Sequence, residues 1–434
     1  MTERLDAWLA RIEQAHPQVI DLGLERVAEV WRRLGSPRPA ARVITVGGTN
    51  GKGSTVAFLD AAARAGGLRT GTYTSPHLLR YNERITLAGH QAADGEIIAA
   101  FERIEAQRDG VRLTWFEFGT LSALLVLADA GLDLAILEVG LGGRLDAVNI
   151  IDADISIVTT VALDHGQWLG PDRASVGREK AGIARAGRPL VVGERQAEPA
   201  LLSSAQTLGA RVFRLGREFD WFVDGQGRSF RHGDQPLLRL PETLPLPAPC
   251  QWDNAATALA ALSILSSLPA PAGAGQRPKA APRLDLTAAA AGLAQTRLSG
   301  RLQQLASNPD TWLDIGHNSQ AAQMLAEWLQ GLPPARTEVV FSALEDKDLA
   351  GIVAPLLPLV ARWHLAGLDQ VTPRGLSAAE LSRRLAPLIG PERCRCHASF
   401  ADALSAARQG AGAAGRVLAY GSFFTAAEVL RAGA

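Results

Sequence analysis

Lysine is almost missing from this chain of 434 residues. Of 44 basic residues only Lys52, Lys180, Lys279 and Lys347 are lysine, and arginine takes the rest. A solvated charge can be either residue. A compact ammonium that must reach phosphate as a point charge, or an amine that must react, cannot be replaced by a guanidinium. The surviving lysines therefore point to chemistry. Cysteine is scarce too: Cys250, Cys394 and Cys396 make no CxxC pair and no disulfide framework. Cys394-x-Cys396-His397 reads as an exposed strand or loop rather than a metal site. Net charge is lacking, with 44 acidic residues against 44 basic ones, so there is no basic field for nucleic acid or an anionic membrane. No uncharged apolar run reaches the roughly 20 residues a membrane helix needs, and Met1-Thr2-Glu3-Arg4-Leu5-Asp6 opens with no apolar signal segment. These absences lead to the expectation of a cytoplasmic, soluble monomer with neither nucleic acid nor membrane as partner.

What is present is an α/β rhythm. Arg42–Val46, Leu134–Val139, Ile155–Thr160 and Pro189–Gly193 read as buried strands, with helical stretches between them. Near-continuous apolar strands separated by helices imply a mostly parallel sheet covered on both faces. From Arg211 to about Leu246 short segments with Gly, Asp and Pro turns suggest a small β-rich elaboration. Residues 268–283 are proline- and alanine-rich and read as a mobile loop, which leaves Lys279 as a solvated charge. A second α/β rhythm follows, with strands expected at Thr311–Ile315, Glu338–Phe341, Trp363–Leu365 and Val417–Tyr420. The expected division is 1–298 and 299–434, near Gly300. The first part would be a P-loop-type ATPase domain with a mostly parallel sheet, the second a smaller Rossmann-like α/β domain.

The first strand runs into Gly47-Gly48-Thr49-Asn50-Gly51-Lys52-Gly53-Ser54, and a helix is expected from Ser54 to about Ala65. Strand, glycine loop and helix present backbone N–H groups and a helix N-terminus to phosphate. Lys52 would reach the β- and γ-phosphates. The match to GxxxxGK[ST] is imperfect, because Val46 replaces a glycine and Gly53 intervenes between Lys52 and Ser54. Glu138 ends an apolar strand, where a parallel sheet places its ligands and where Mg²⁺ beside a triphosphate wants a carboxylate. The plainer reading of Glu138 is a strand-end carboxylate that caps a loop. The run Gly140–Gly143 is no dinucleotide fingerprint, since GxGxxG fails at Leu145, and its glycines read as room for backbone beside a ligand near Asp146.

The departures from the standard loop resemble those of the Mur ligase superfamily. Tyr73-Thr74-Ser75-Pro76-His77-Leu78, Tyr81-Asn82-Glu83-Arg84-Ile85, Glu138–Ala147, Leu163-Asp164-His165 with Trp168-Leu169-Gly170, and Glu179-Lys180-Ala181-Gly182-Ile183 follow in order. With Ile20–Val27 they resemble the folylpolyglutamate synthases, and among these the bacterial form that is also a dihydrofolate synthase. The resemblance runs from about residue 18 to residue 424.

That resemblance implies an ATP-dependent amide ligase with two Mg²⁺ sites. Gly48, Thr49, Asn50, Gly51, Lys52, Gly53 and Ser54 would hold the phosphates of ATP, Asn254 the adenine, Arg301 a phosphate and Asp314 the nucleotide. Ser75 and Glu138 would bind one Mg²⁺, Glu138 and His165 the other. Lys180 would be carbamylated and support the second metal, and His317 would act in the reaction together with Lys52 and Lys180. Ile20, Asp21, Leu22, Thr114, Leu145, Asp146 and Ala147 would receive the pterin of dihydropteroate or a reduced folate. Asp21 and Asp146 suit its amino and ring N–H groups, and Trp115 and Phe118 offer either ring surface or core. L-Glutamate would be the incoming amine. Asp314-Ile315-Gly316-His317-Asn318-Ser319 departs from the family's Asp-x-Ala-His-Asn-Pro, and Lys347 falls in a second-domain loop, Ser342–Asp348, that resembles the family's.

Three other readings remain at this point. One is a monofunctional folylpolyglutamate synthase, which shares every ATP-site motif. Another is a Mur-type cell-wall ligase, for which the loop at residue 47 leaves no room for a further N-terminal domain. The last is a P-loop switch that binds nucleotide and ligates nothing.

Overall fold

A computed structural model describes residues 2–14, 21–269 and 284–433. Ile20, Lys279 and most of the proline-rich 268–283 segment lie outside the described residues. The chain divides into two compact units, Met1–Pro245 with Gln251–Thr296, and Leu246–Cys250 with Arg297–Ala434.

The first unit is built on an eight-stranded sheet. Its strands are β1 (Arg42–Gly47), β2 (Thr70–Tyr73), β3 (Ile85–Leu87), β4 (His90–Gln91), β5 (Leu134–Glu138), β6 (Ile155–Val158), β7 (Pro189–Val192) and β8 (Arg211–Arg214). The order is β4-β3-β2-β5-β1-β6-β7-β8. Pairing is parallel from β2 to β8 and antiparallel only at β2–β3–β4. Every residue of β5 is buried, as are all of β1 after Arg42, which is why these strands read as unbroken apolar runs rather than alternating ones. One face packs against helices Glu25–Arg33, Asp94–Gln107 and Trp115–Asp129 through Val27, Phe101, Phe118, Leu121 and Leu137. Helix Lys52–Ala65 packs against the almost wholly buried helix Gln251–Ser267. The β-rich elaboration expected from Arg211 is split. β8 joins the main sheet, while β9 (Phe219–Asp224), β10 (Gly227–His232) and β11 (Leu238–Arg239) form a separate antiparallel sheet.

The second unit has a six-stranded sheet. β12 (Gln303–Ser307) pairs antiparallel with β13 (Asp310–Leu313), and β14 (Thr337–Phe341), β15 (Arg362–Ala366), β16 (Cys394–His397) and β17 (Arg416–Tyr420) complete the order β12-β13-β17-β14-β15-β16. The other pairings are parallel. Phe341, Trp363 and Tyr420 meet ring to ring at its centre, with Phe341–Tyr420 centroids 5.1 Å apart. The Cys-x-Cys-His segment is the edge strand β16, with Cys394 buried. Among the described residues no helix is long and apolar enough to cross a membrane.

Candidate functional site

Register decides which loops meet. Val46 pairs with Glu138, Gly47 with Val158 and Tyr73 with Leu137, so the loops leaving β1, β2, β5 and β6 all emerge from one edge of the sheet. Open parallel sheets bind ligands at this carboxyl edge.

The glycine loop after β1 is sewn to the segment leaving β6. Thr49 N–H donates to Thr160 O at 2.8 Å, Thr49 Oγ1 donates to Ala162 O at 3.0 Å, and Thr159 Oγ1 donates to Asn50 O at 2.6 Å. Gly48 (φ 140°) and Gly51 (φ 86°) occupy conformations open to glycine. A Cβ on Gly48 would lie 1.9 Å from Thr159 Oγ1, and one on Gly51 would lie 2.7 Å from Asn254 Oδ1. Asn254 is thereby brought against the loop, its Nδ2 donating to Gln251 Oε1 at 2.9 Å. The helix begins at Lys52, two residues before the expected Ser54, and no side chain caps it. Lys52 Nζ arches back to Gly48 O and Thr49 O, at 3.0 and 3.1 Å. A cation held beside a glycine loop and a helix N-terminus has the chemistry to cradle phosphate.

Glu138, 4 % exposed at the end of β5, accepts the N–H of Ser75 at 3.1 Å, so two of the proposed metal ligands are in contact. His165 sits at φ 52°, a strained backbone for a residue with a side chain, and its imidazole faces Asp164 with Nε2–Oδ2 at 3.8 Å. Among the described residues no three His, Cys, Asp or Glu side chains converge tightly enough to cage a metal. The donors present are mainly hard oxygens. They fit a cation such as Mg²⁺ or Mn²⁺, which keeps water and shares phosphate oxygens, better than a closed zinc site.

Lys180 is 3 % exposed on helix Arg173–Ala181. Burial pushes its ammonium down to about 7, Lys52 pushes the same way, and Asp164 and Asp146 oppose. Asp146 is 2 % exposed, and burial pushes its carboxyl up to about 6 against the N–H groups of Leu141, Val148 and Gly140 and the charge of Lys52. Lys52, Asp146, Asp164 and Lys180 thus share one electrostatic neighbourhood. Asp146 Oδ2 accepts Leu141 N–H at 2.8 Å and Oδ1 accepts Val148 N–H at 3.0 Å, which holds the 140–147 turn. The glycines of that turn also make room for the protein itself. A Cβ on Gly140 would meet Phe116 at 2.5 Å, and one on Gly143 would meet the Glu179 carbonyl at 2.9 Å and Lys180 Cα at 3.2 Å.

The positions assigned to the pterin also converge. The turn Ala147–Ile150 packs on helices Glu25–Arg33 and Trp115–Asp129. Thr114 caps the second of these, exchanging bonds with Glu117 in a capping box. Arg26 joins the two ends: it pairs with Asp21 at 2.8 Å and donates to buried Glu117 at 3.1 Å. Leu22 and Leu145 are half-buried and Ala147 is buried. Arg26 and Glu117 were not among the residues singled out from the sequence, and 91 positions separate them. Glu83 and Arg84 were seen only as part of a motif. Glu83 gathers the N–H groups of Leu78, Leu79 and Arg80, while buried Arg84 donates to His77 Nδ1 at 2.8 Å and lies 4.5 Å from the Trp115 ring.

In the second unit Leu313 pairs with Ala419 and Phe341 with Tyr420, so Asp314, Ser342 and Gly421–Phe423 share that sheet's carboxyl edge. Asp314 is buried, and burial raises its carboxyl above the ordinary range against Arg301 and two backbone N–H groups. It accepts Leu302 N–H at 2.9 Å and Gly316 N–H at 2.7 Å. It therefore shapes both the Arg301 turn and the His317 turn. His317 Nδ1 donates to Ile315 O at 3.0 Å, which fixes the ring beside that turn. Lys347 is half-buried with its N–H on Leu344 O.

Residues 300–423 match the family described as Mur ligase, glutamate ligase domain. The dihydrofolate synthase/folylpolyglutamate synthase of Escherichia coli is 42 % identical over 98 % of this chain and 94 % of its own length. The solved structure of E. coli FolC in complex with DHPP and ADP covers 98 % of this chain and 97 % of its own, with a TM-score of 0.88 at 42 % identity. The bifunctional enzyme of Yersinia pestis, solved with AMPPNP and a Mn ion, covers 99 % and 97 % with a TM-score of 0.86 at 41 % identity. The chain belongs to the dihydrofolate synthase/folylpolyglutamate synthase family of ATP-dependent, Mur-type ligases.

Proposed function

We propose that this enzyme joins L-glutamate to dihydropteroate, forming dihydrofolate, and to the glutamate tail of reduced folates, driven by ATP. The observation that carries the reading is the grouping, at one sheet edge, of the Lys52 loop, the Ser75–Glu138 pair and the buried Lys180–Asp146 neighbourhood. The N–H groups of Gly48–Ser54 and the Lys52 ammonium hold the triphosphate, with Asn254 assigned to the adenine and Arg301 and Asp314 to the nucleotide. Ser75, Glu138 and His165 hold the divalent cations, two in number on this reading. When bound, these supply charge neutralisation on the phosphate oxygens.

The substrate carboxylate attacks the γ-phosphorus, the Pγ–O bond to ADP breaks, and an acyl phosphate forms. The amine of glutamate then attacks the acyl carbon, loses a proton, and phosphate leaves as the amide forms. Positioning and fixed charge carry such a reaction, and no side-chain nucleophile is required. The imidazole of His317, oriented by its Nδ1 bond to Ile315 O, is suited to act on the amine or to orient the incoming glutamate. Asp21, Leu22, Thr114, Leu145, Asp146 and Ala147 receive the pterin, with Ile20 assigned from sequence alone. The Lys180 amine, held near its titration point by burial, adds as its neutral form to CO₂ and releases a proton, giving a carbamate that serves the metal site. The enzyme works as a monomer in the cytoplasm.

The test is incubation with ATP, Mg²⁺, labelled glutamate and either dihydropteroate or a reduced folate, read by mass spectrometry and phosphate release. A new amide with each acceptor is the expected result. Product with the reduced folate alone leaves a monofunctional enzyme, and phosphate release indifferent to both acceptors overturns the ligase assignment. Lys52→Ala is expected to cut turnover by about 1,000-fold or more, because the transferring phosphoryl group loses its point cation.

A further inference from the structure

We infer that Phe423 is a positioning residue, its ring setting the spacing of Arg301 and His317 at the carboxyl edge of the second sheet. The inference rests on the roles proposed above for those two side chains. The Arg301 guanidinium carbon lies 5.5 Å from the Phe423 ring centroid, and the His317 ring centroid lies 6.2 Å from it at 53°. One aromatic body thus touches both groups, although 122 residues separate Phe423 from Arg301 in the chain.

The ring is itself held in place by its backbone. Phe423 opens helix Phe423–Gly433 directly after Gly421 and Ser422. Gly421 has φ 130°, and a Cβ there would stand 1.9 Å from Ser342 O, so only glycine lets β17 leave the sheet this close to β14. Ser422 Oγ accepts Thr425 N–H at 2.9 Å, and Thr425 Oγ1 donates to Ser342 O at 3.2 Å. Arg301 is presented from the other side by an equally constrained turn, between Gly300 at φ 70° and Leu302 at φ 44°. The Leu302 N–H on Asp314 fixes that turn. Two constrained turns therefore hold the half-buried ring and the guanidinium together, with the His317 imidazole beside them. An aromatic face attracts the guanidinium through its quadrupole, which an aliphatic side chain of similar size cannot do.

The test is a double-mutant cycle on the full enzyme, reading kcat and the KM for ATP and for glutamate. Phe423→Leu is expected to lower kcat/KM by about fivefold, while Phe423→Tyr stays within about twofold of the parent. In an Arg301→Ala background, Phe423→Leu is expected to add less than about twofold, because the cation on its ring face is gone and only the His317 contact at 6.2 Å remains. Phe423→Met removes the ring with less loss of volume, and serves if the leucine variant folds poorly by its melting temperature. Equal losses from Phe423→Leu in both backgrounds, or a tyrosine variant as impaired as the leucine one, overturn the inference. If Arg301→Ala alone leaves kcat/KM unchanged, the assignment of Arg301 fails first and the inference falls with it, a result separable from the other two.

Discussion

Both units bury ionisable groups, and they do so in opposite ways. In the second unit Arg336, Glu338, His364 and His397 form a chain across β14, β15 and β16. Arg336 Nε donates to Glu338 Oε1 at 2.8 Å, His364 Nε2 donates to Glu338 Oε2 at 2.9 Å, and His397 Nε2 donates to His364 Nδ1 at 2.9 Å. Glu338 is fully buried, and Gly410 of the covering helix Phe400–Ala411 leaves it room, since a Cβ there would sit 3.0 Å from the carboxylate. The protein itself supplies each partner in this chain. In the first unit Lys180 and Asp146 are just as buried, yet their ionisation is displaced to about 7 and about 6, chiefly by loss of solvent. Burial of charge does not by itself mark a working site. What separates the two is whether the groups are neutralised internally or left near their titration point for CO₂, metal or substrate to complete.

The sharpest way to break this comparison is Lys180→Ala. A loss of activity of about 10- to 100-fold, partly restored by a short carboxylate, is expected of a group that supports a metal site. Turnover within about twofold of the parent would place Lys180 with the structural charges. Because its ammonium is depressed to about 7, the neutral amine grows as pH rises through that value. A carbamate resonance in ¹³C-bicarbonate should grow over the same range and be missing from Lys180→Arg.

Glu338→Ala probes the other side. Removing one member of a buried pair costs about 3–5 kcal/mol, so a large fall in urea stability is expected with kcat per folded molecule unchanged. A fall in kcat at unchanged stability would move this chain into the functional class.

The smallest effect is one of sign. Burial, outweighing Glu338, depresses His364 in the folded state, and His397 is depressed likewise against Asp402, with Arg336, Arg362 and Arg395 also near. Below an unfolded value of about 6.5 the unfolded chain binds more protons, so acidification removes stability from the second unit. Asp146 is raised to about 6, so the folded first unit binds the extra proton and gains stability as pH falls through that value. The Lys180 ammonium is half formed at about 7 and completes within about a unit below it, so it adds no slope below about pH 6. Hydrogen exchange followed from pH 6 to pH 5 should therefore show protection falling in β15 and rising in β5. A common direction in both would contradict the contrast.

Much of the first unit's site was legible because its signals are local. A β-branched strand running into glycines and a lysine specifies a strand, loop and helix within about a dozen residues. The order of motifs from Ser75 to Lys180 carried the family. The helix start at Lys52 was misread by two residues, and the close contacts of Gly140 and Gly143 with Phe116 and Lys180 were not foreseen, because those partners come from other segments. Arg26–Glu117, Arg84–Trp115 and Arg301–Phe423 were missed for the same reason. An arginine's partner 31 to 122 positions away leaves no periodicity to read.

By itself, then, the sequence determined the alternation of buried strands and helices, the phosphate loop and the replacement of lysine by arginine wherever chemistry allowed it. Those properties follow from side-chain identity and short-range spacing. Only the tertiary structure decided that Lys180 and Asp146 lose their solvent while Glu338 and His364 gain each other. Register and packing set dielectric and distance, and these decide whether a buried charge holds the fold or waits for a ligand.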